Sequence, residues 1–105
     1  MTQSEDRPTG FEADLSPSEE MMFRVLARRN RLLGEWAARL MGLSEAEAEA
    51  YSKDLVRADF EGGGGKDVVL KLLGDLTAAG VEIDESRIRE ALKDKLVDAR
   101  RQLIG

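Results

Sequence analysis

The chain has 105 residues, of which 21 are acidic and 16 basic, giving a formal net charge of −5, and aromatic residues make up 5%. This length is typical of a single domain, and the acidic balance argues against binding to nucleic acid or to an anionic membrane, because both need an excess of Lys and Arg. Histidine and cysteine are absent, which removes the usual proton shuttle, the usual metal ligands and any disulfide.

The first 16 residues are polar and acidic and are interrupted by Pro8 and Gly10. This composition predicts a disordered N-terminal arm, in which Phe11 and Leu15 are isolated apolar residues. The arm lacks the apolar core of a secretory signal, and no apolar run approaches the roughly 18 residues of a membrane helix. We therefore expect a cytoplasmic protein with an arm at residues 1–16 and a helical domain at residues 17–105.

The first predicted helix spans residues 17–41. Ser16 can cap it, Pro17 suits its first position and Glu19 completes a capping box. Residues spaced by three and four form the face that we expect to lie in the core, namely Met22, Leu26, Arg29, Leu33, Trp36 and Leu40. Met21 and Phe23 fall off this face. Gly42 is expected to end the helix.

Three further helices follow, with predicted ranges of 45–60, 67–79 and 85–103. Ser44 and Glu47 form a capping box for the first of them, and Asp67 and Asp84 can cap the other two. Gly80 is expected to end the third helix of the chain. The sequence shows no strand with sustained alternation, so it predicts an all-α four-helix bundle.

The glycine run Gly62 to Gly65, followed by Lys66, resembles the end of a phosphate-binding loop. That pattern requires Gly where the chain has Phe60, and Ser or Thr where it has Asp67. It also requires a preceding strand, and this segment predicts a helix. We therefore interpret the glycine run as a flexible hinge.

Arginines crowd the first predicted helix, at Arg24, Arg28, Arg29, Arg31 and Arg39. Two roles are open for them. They can pair with carboxylates such as Glu20 and Glu35 and with acidic groups on the other helices, or they can contact a phosphate group or an acidic protein surface. Acid–base catalysis is not expected, because the many carboxylates follow the pattern of a solvated helix surface.

One segment of the first helix resembles a known family, and its sequence is Ala27-Arg28-Arg29-Asn30-Arg31-Leu32-Leu33-Gly34-Glu35-Trp36-Ala37-Ala38. It is similar to the zeta subunit of the alphaproteobacterial F-type ATP synthase, an inhibitor of ATP hydrolysis. Further similar segments follow in order, at residues 47–51, 53–60, 66–68, 76–81 and 88–89. The resemblance covers roughly residues 19 to 104.

The resemblance implies a regulatory subunit that binds the alpha, beta and gamma subunits of the catalytic head. It implies that the arm folds into a helix as it enters a catalytic interface beside the central rotor, while the bundle anchors it. A monomeric free form is expected, with no cofactor, metal or catalytic residue, located in the cytoplasm and peripheral to the inner membrane when bound. The expected partner-binding residues are Phe11, Glu12, Leu15, Met21, Met22, Phe23, Arg24, Arg28 and Arg29.

The arm departs from the family pattern at Pro8, Gly10 and Pro17. Within a helix a proline costs about 3 kcal/mol and a glycine about 1 kcal/mol relative to alanine, so we expect weak inhibition. The alternative function is a helical module or sensor that binds a small ligand such as an adenine nucleotide. Its expected contacts are Arg28, Arg29 and Arg31.

Overall fold

The computed structural model describes residues 17–62 and 65–105, which form four α-helices and contain no strand. The helices are α1 (Pro17–Met41), α2 (Glu45–Gly62), α3 (Lys66–Ala78) and α4 (Glu85–Leu103). The predicted all-α fold with four helices is confirmed. The predicted disordered arm and the Ser16 cap lie outside the described residues, so the division into an arm and a domain stays a prediction.

Several predicted helix boundaries are confirmed by the local hydrogen bonds. Gly42 follows α1 with φ 74° and Gly80 follows α3 with φ 83°, in the left-handed conformation that commonly ends a helix. At α2 the Ser44 N–H donates to Glu47 Oε1 at 2.9 Å, and the Glu47 N–H donates to Ser44 Oγ at 3.2 Å. At α4 the Asp84 carboxylate accepts from the backbone N–H of Arg87 at 2.9 Å.

The start of α3 differs from the prediction. The helix begins at Lys66, and Gly65 occupies the cap position with φ 85° and no side-chain cap. Asp67 lies inside the first turn, so the prediction that Asp67 caps this helix is wrong. The reason is a tertiary contact between α2 and the residue before α3. The N–H of Gly65 donates to Oδ1 of Asp59 on α2, at 3.3 Å.

The core consists of small and medium aliphatic side chains contributed by all four helices. Its buried members are Leu33, Ala37, Leu55, Val68, Val69, Leu72, Leu76, Ile88 and Ala91. α1 is the central element and packs against α2, α3 and α4. Apolar burial of this kind stabilises a fold by roughly 25 cal/mol per Å².

The buried face of α1 is not quite the one predicted. Arg29 and Leu33 are buried as expected, but Met22 is 40% exposed and Leu40 is 44% exposed. The prediction that these two residues fill the core is therefore wrong. Instead, Val25 and Ala37 are buried on this helix.

α1 and α2 approach each other most closely at Gly34. A Cβ at this position would lie 2.6 Å from Cα of Ser52, which is closer than atoms can pack. Ser52 is itself buried, and its hydroxyl has no hydrogen-bond partner within the described part of the chain. The glycine therefore sets the spacing between the two helices.

Within residues 17–62 and 65–105, no helix has both the length and the apolar character needed to cross a membrane. The same part of the chain contains no group of three or more carboxylates placed to hold a metal ion.

Candidate functional site

A buried polar cluster joins α1, α2 and the start of α3. Arg29 Nη2 donates to Asp59 Oδ2 at 3.0 Å, and Asn30 Nδ2 donates to the same oxygen at 2.9 Å. Arg29 Nε also donates to Asn30 Oδ1 at 2.9 Å, while the other Asp59 oxygen accepts from Gly65. These contacts hold the last part of α2 and Gly65, just before α3, against α1.

This cluster separates Arg29 from the other predicted contact residues. The Arg29 side chain is only 6% exposed, and the Asp59 side chain is 5% exposed. Burial lowers the pKa of the Arg29 guanidinium below its ordinary value, and the charge of Asp59 opposes this effect. The donors of Arg29 face Asn30 and Asp59 inside the bundle, so its side chain is not exposed to a nucleotide or a partner in this structure, and its contacts link α1 to α2.

A surface groove between α1 and α2, closed at one end by the last turn of α4, collects positive charge. We call it the basic groove, and its volume is about 540 Å³. Three apolar side chains line it, those of Ala27, Val56 and Leu103. Its remaining lining is entirely cationic and consists of Arg24, Arg28, Arg31, Lys53 and Arg57.

The helical repeat explains why these cations converge. Arg24, Arg28 and Arg31 follow each other at spacings of four and three, and Lys53 and Arg57 at a spacing of four, so each set lies on one helix face. α1 and α2 run antiparallel, since Ser52 lies beside Gly34 and Asp59 beside Arg29. The two faces therefore meet along the groove.

The carboxylates near the groove neutralise it only in part. Arg31 lies 3.8 Å from Glu35, Lys53 lies 3.6 Å from Glu49 and Arg57 lies 3.1 Å from Asp54. Both partners of each pair are at least 42% exposed, and such pairs contribute little because water screens them. An anion in the groove can therefore displace them at small cost.

The two cations nearest the start of α1 have different surroundings. Arg28 Nη1 donates to the neutral amide oxygen of Gln102 at 2.6 Å, which fixes the guanidinium while leaving its charge uncompensated. Arg24 is exposed and makes no ion pair within the described residues. At this end of the groove, therefore, no ion pair among the described residues compensates the two cations.

The predicted partner-binding residues fall into three groups. Met22 is 40% exposed and Phe23 is 50% exposed, so the start of α1 presents large apolar side chains, while Met21 is half-buried. Arg24 and Arg28 lie in the basic groove. The predicted contacts in the arm lie outside the described residues, and they are Phe11, Glu12 and Leu15.

Sequence reasoning missed Lys53 and Arg57 as members of the groove. Their spacing of four on a helix was a visible signal, but only the register of α2 against α1 shows which way they face. It also missed a second polar contact, in which Tyr51 Oη donates to Asp75 Oδ2 at 2.7 Å and Lys71 Nζ to the same oxygen at 3.0 Å. That contact ties α2 to α3 and lies outside the groove.

Comparison with known proteins finds a matching family model and a similar solved structure. The family model described as ATPase inhibitor subunit zeta matches residues 1–102. A protein solved by solution NMR is 40% identical in sequence with a TM-score of 0.71, and the match covers 80% of this chain and 95% of that one. No curated protein matches the chain.

Proposed function

The chain belongs to the ATPase inhibitor subunit zeta family, and from this membership we propose that it binds the catalytic head of the F-type ATP synthase and inhibits ATP hydrolysis through its arm. In this role the protein is regulatory and non-catalytic. Its partners are the alpha, beta and gamma subunits of the head. The complex lies on the cytoplasmic side, peripheral to the inner membrane.

The observation that carries the proposal is the extent of the family match. It covers residues 1–102, so it includes the arm as well as all but the last turn of the helical domain. A segment that becomes ordered between moving subunits blocks rotation, because expelling it costs the free energy of its contacts. Such a segment loses conformational entropy when it binds and therefore needs apolar anchors.

The start of α1 supplies anchors that continue those of the arm. Met22 and Phe23 are exposed and lie within the first two turns of α1, shortly after the arm, whose own large apolar residues are Phe11 and Leu15. The rest of the helical domain does not need to enter the head, and we propose that it holds the arm at the entrance.

Pro17 is the first residue of α1, where proline is well tolerated. An induced helix that ran from the arm into α1 would instead place Pro17 in its interior, at a cost of about 3 kcal/mol. We therefore propose that an arm helix, if formed on the head, is separate from α1, and that inhibition is weaker than a continuous helix would give.

The experiment compares ATP hydrolysis by the purified head in the presence of the full chain and of a chain that begins at residue 17. Only the full chain should slow hydrolysis, and the double variant Phe11→Ala/Leu15→Ala should inhibit less. Leu70 and Val97 are exposed apolar residues on α3 and α4, so Leu70→Ala/Val97→Ala is the matched control. Equal inhibition by the truncated chain would refute the role of the arm.

A second candidate function is favoured by the basic groove. We propose that the triphosphate of an adenine nucleotide can bind there through Arg24, Arg28 and Arg31, with Arg29 excluded by its burial. Titration with ATP should shift the amide signals of residues that line the groove, whereas adenosine, which lacks phosphates, should not. Shifts of equal size with both compounds, or none with ATP, would refute this candidate.

A further inference from the structure

The basic groove has an occupant of suitable chemistry within the same chain. We propose that, in the free protein, the acidic arm docks into this groove and is released when a competing surface or anion takes its place. The inference concerns the free chain alone, so it does not depend on the proposed inhibition.

Charge is the first argument for this assignment. The arm carries four carboxylates and a single arginine, Arg7, whereas the groove is lined by five cations and no acid. Residues 17–105 contain 17 acidic and 15 basic residues in total, so the surface outside the groove is strongly acidic. The rest of the helical domain therefore repels the arm, and the groove attracts it.

Apolar complementarity is the second argument. The groove has an apolar lining formed by Ala27, Val56 and Leu103. The arm has two large apolar side chains next to its carboxylates, in the order Phe11, Glu12, Asp14, Leu15. A phosphate group cannot make apolar contacts with this lining. A peptide that alternates acidic and apolar residues can contact both the cationic and the apolar side chains of the groove.

Reach is the third argument. α1 rises about 1.5 Å per residue, so Arg24 and Arg28 lie roughly 10 to 17 Å along the helix axis from its start. Extended chain spans about 3.3 Å per residue, so Glu12 and Asp14 can reach roughly 10 to 17 Å back from Pro17. These reaches are upper limits because the chain must also turn back at Pro17, and within them the Glu12 carboxylate can come level with Arg24.

Tethering makes even weak docking effective. A segment joined directly to its binding site experiences an effective concentration in the millimolar range, so a contact that would be negligible between separate molecules becomes populated. Because the contact is largely electrostatic and exposed, it should weaken as the ionic strength rises.

The test places a nitroxide spin label on the arm. The chain contains no cysteine, so Thr9→Cys gives a single labelling site in the otherwise unchanged full-length protein. Paramagnetic relaxation enhancement is then measured at backbone amides in a buffer whose only small anion is chloride. We expect larger enhancement at Ala27, Val56 and Leu103 than at Asp67 and Leu70, which lie on α3 outside the groove.

Two changes should remove the difference. Raising the salt to about 0.5 M should reduce the enhancement at the groove about twofold or more, and so should Glu12→Gln/Asp14→Asn in the arm. The matched control Glu82→Gln/Asp94→Asn removes the same charge from exposed positions without an ion pair in the described residues, and it should leave the enhancement unchanged.

Two results would overturn the proposal. One is equal enhancement inside and outside the groove, or an enhancement that salt and the arm variant do not change. The other is enhancement of full size when an isotope-labelled chain without the spin label is mixed with a spin-labelled chain without isotopes. That result would identify the arm of a second copy as the occupant.

Discussion

The substitution Asp59→Asn probes the buried cluster with almost no change in side-chain size. Asp59 accepts hydrogen bonds from Arg29 and Asn30 on one oxygen and from Gly65 on the other. An amide has only one oxygen, so its NH₂ group must face at least one of these donors. The guanidinium of Arg29, whose side chain is 6% exposed, also loses its counter-charge.

Removing one partner of a buried ion pair typically costs about 3 to 5 kcal/mol, because the other charge stays buried without compensation. We expect the lower end, about 3 kcal/mol, since the asparagine oxygen can still accept from some donors. That is a large part of the 5 to 15 kcal/mol that typically separates folded from unfolded domains. With an m-value of about 1.5 kcal/mol/M, the urea midpoint should fall by about 2 M.

The assay is urea unfolding followed by circular dichroism, with Asp54→Asn as the control. Asp54 lies on the same helix and pairs with Arg57, but this pair is exposed, so its loss should cost less than about 0.5 kcal/mol. The double variant Arg29→Met/Asp59→Leu removes both charges but leaves the buried Asn30 amide and the Gly65 N–H without their partners, so it should recover only part of the lost stability. Equal midpoints for Asp59→Asn and Asp54→Asn would refute the structural role of the cluster.

Three further predictions follow from single contacts. Gly34→Ala should destabilise the fold by about 1 to 3 kcal/mol, because the added Cβ would clash with Ser52. Gly74→Ala should stabilise it by about 0.4 to 1 kcal/mol, because a Cβ there meets nothing within 4 Å among the described residues. Thermal unfolding of the two variants distinguishes these outcomes. Ser52→Ala should be neutral or stabilising in the same assay, because its buried hydroxyl has no partner among the described residues. Burial, with the hydrogen bond and charge of Asp75, raises the pKa of Tyr51, the only tyrosine, above its ordinary value of 10.0. The stability that the neutral Tyr51 phenol contributes is therefore present below pH 10.0 and is lost at higher pH. An ultraviolet titration in which the phenol ionises at the same pH in the folded and the urea-unfolded chain would contradict this.

The sequence predicted the features that depend on neighbouring residues. Helix ends were correct where a local capping group acts, as at Ser44 and Asp84, because each cap needs only residues within three positions. The cap at Asp67 failed because a distant carboxylate, that of Asp59, holds the preceding glycine. Local rules contain no information about such a contact.

The candidate site was predicted only in part for the same reason. The sequence grouped Arg24, Arg28, Arg29 and Arg31 as one cluster and also placed Arg29 on the core-facing side of the helix, but it could not show that Arg29 pairs with Asp59. Lys53 and Arg57 join the groove through the antiparallel packing of two helices. The register of that packing depends on Gly34, whose missing side chain lets α2 approach.

The most direct test of the proposed function is the rate of ATP hydrolysis by the purified synthase head as increasing amounts of the full chain are added. The account predicts that the rate falls and reaches a plateau once the head is saturated, and that the chain co-migrates with the head in gel filtration. A rate that stays constant while the chain co-migrates with the head would contradict inhibition, and the absence of co-migration at saturating chain would contradict the partnership itself.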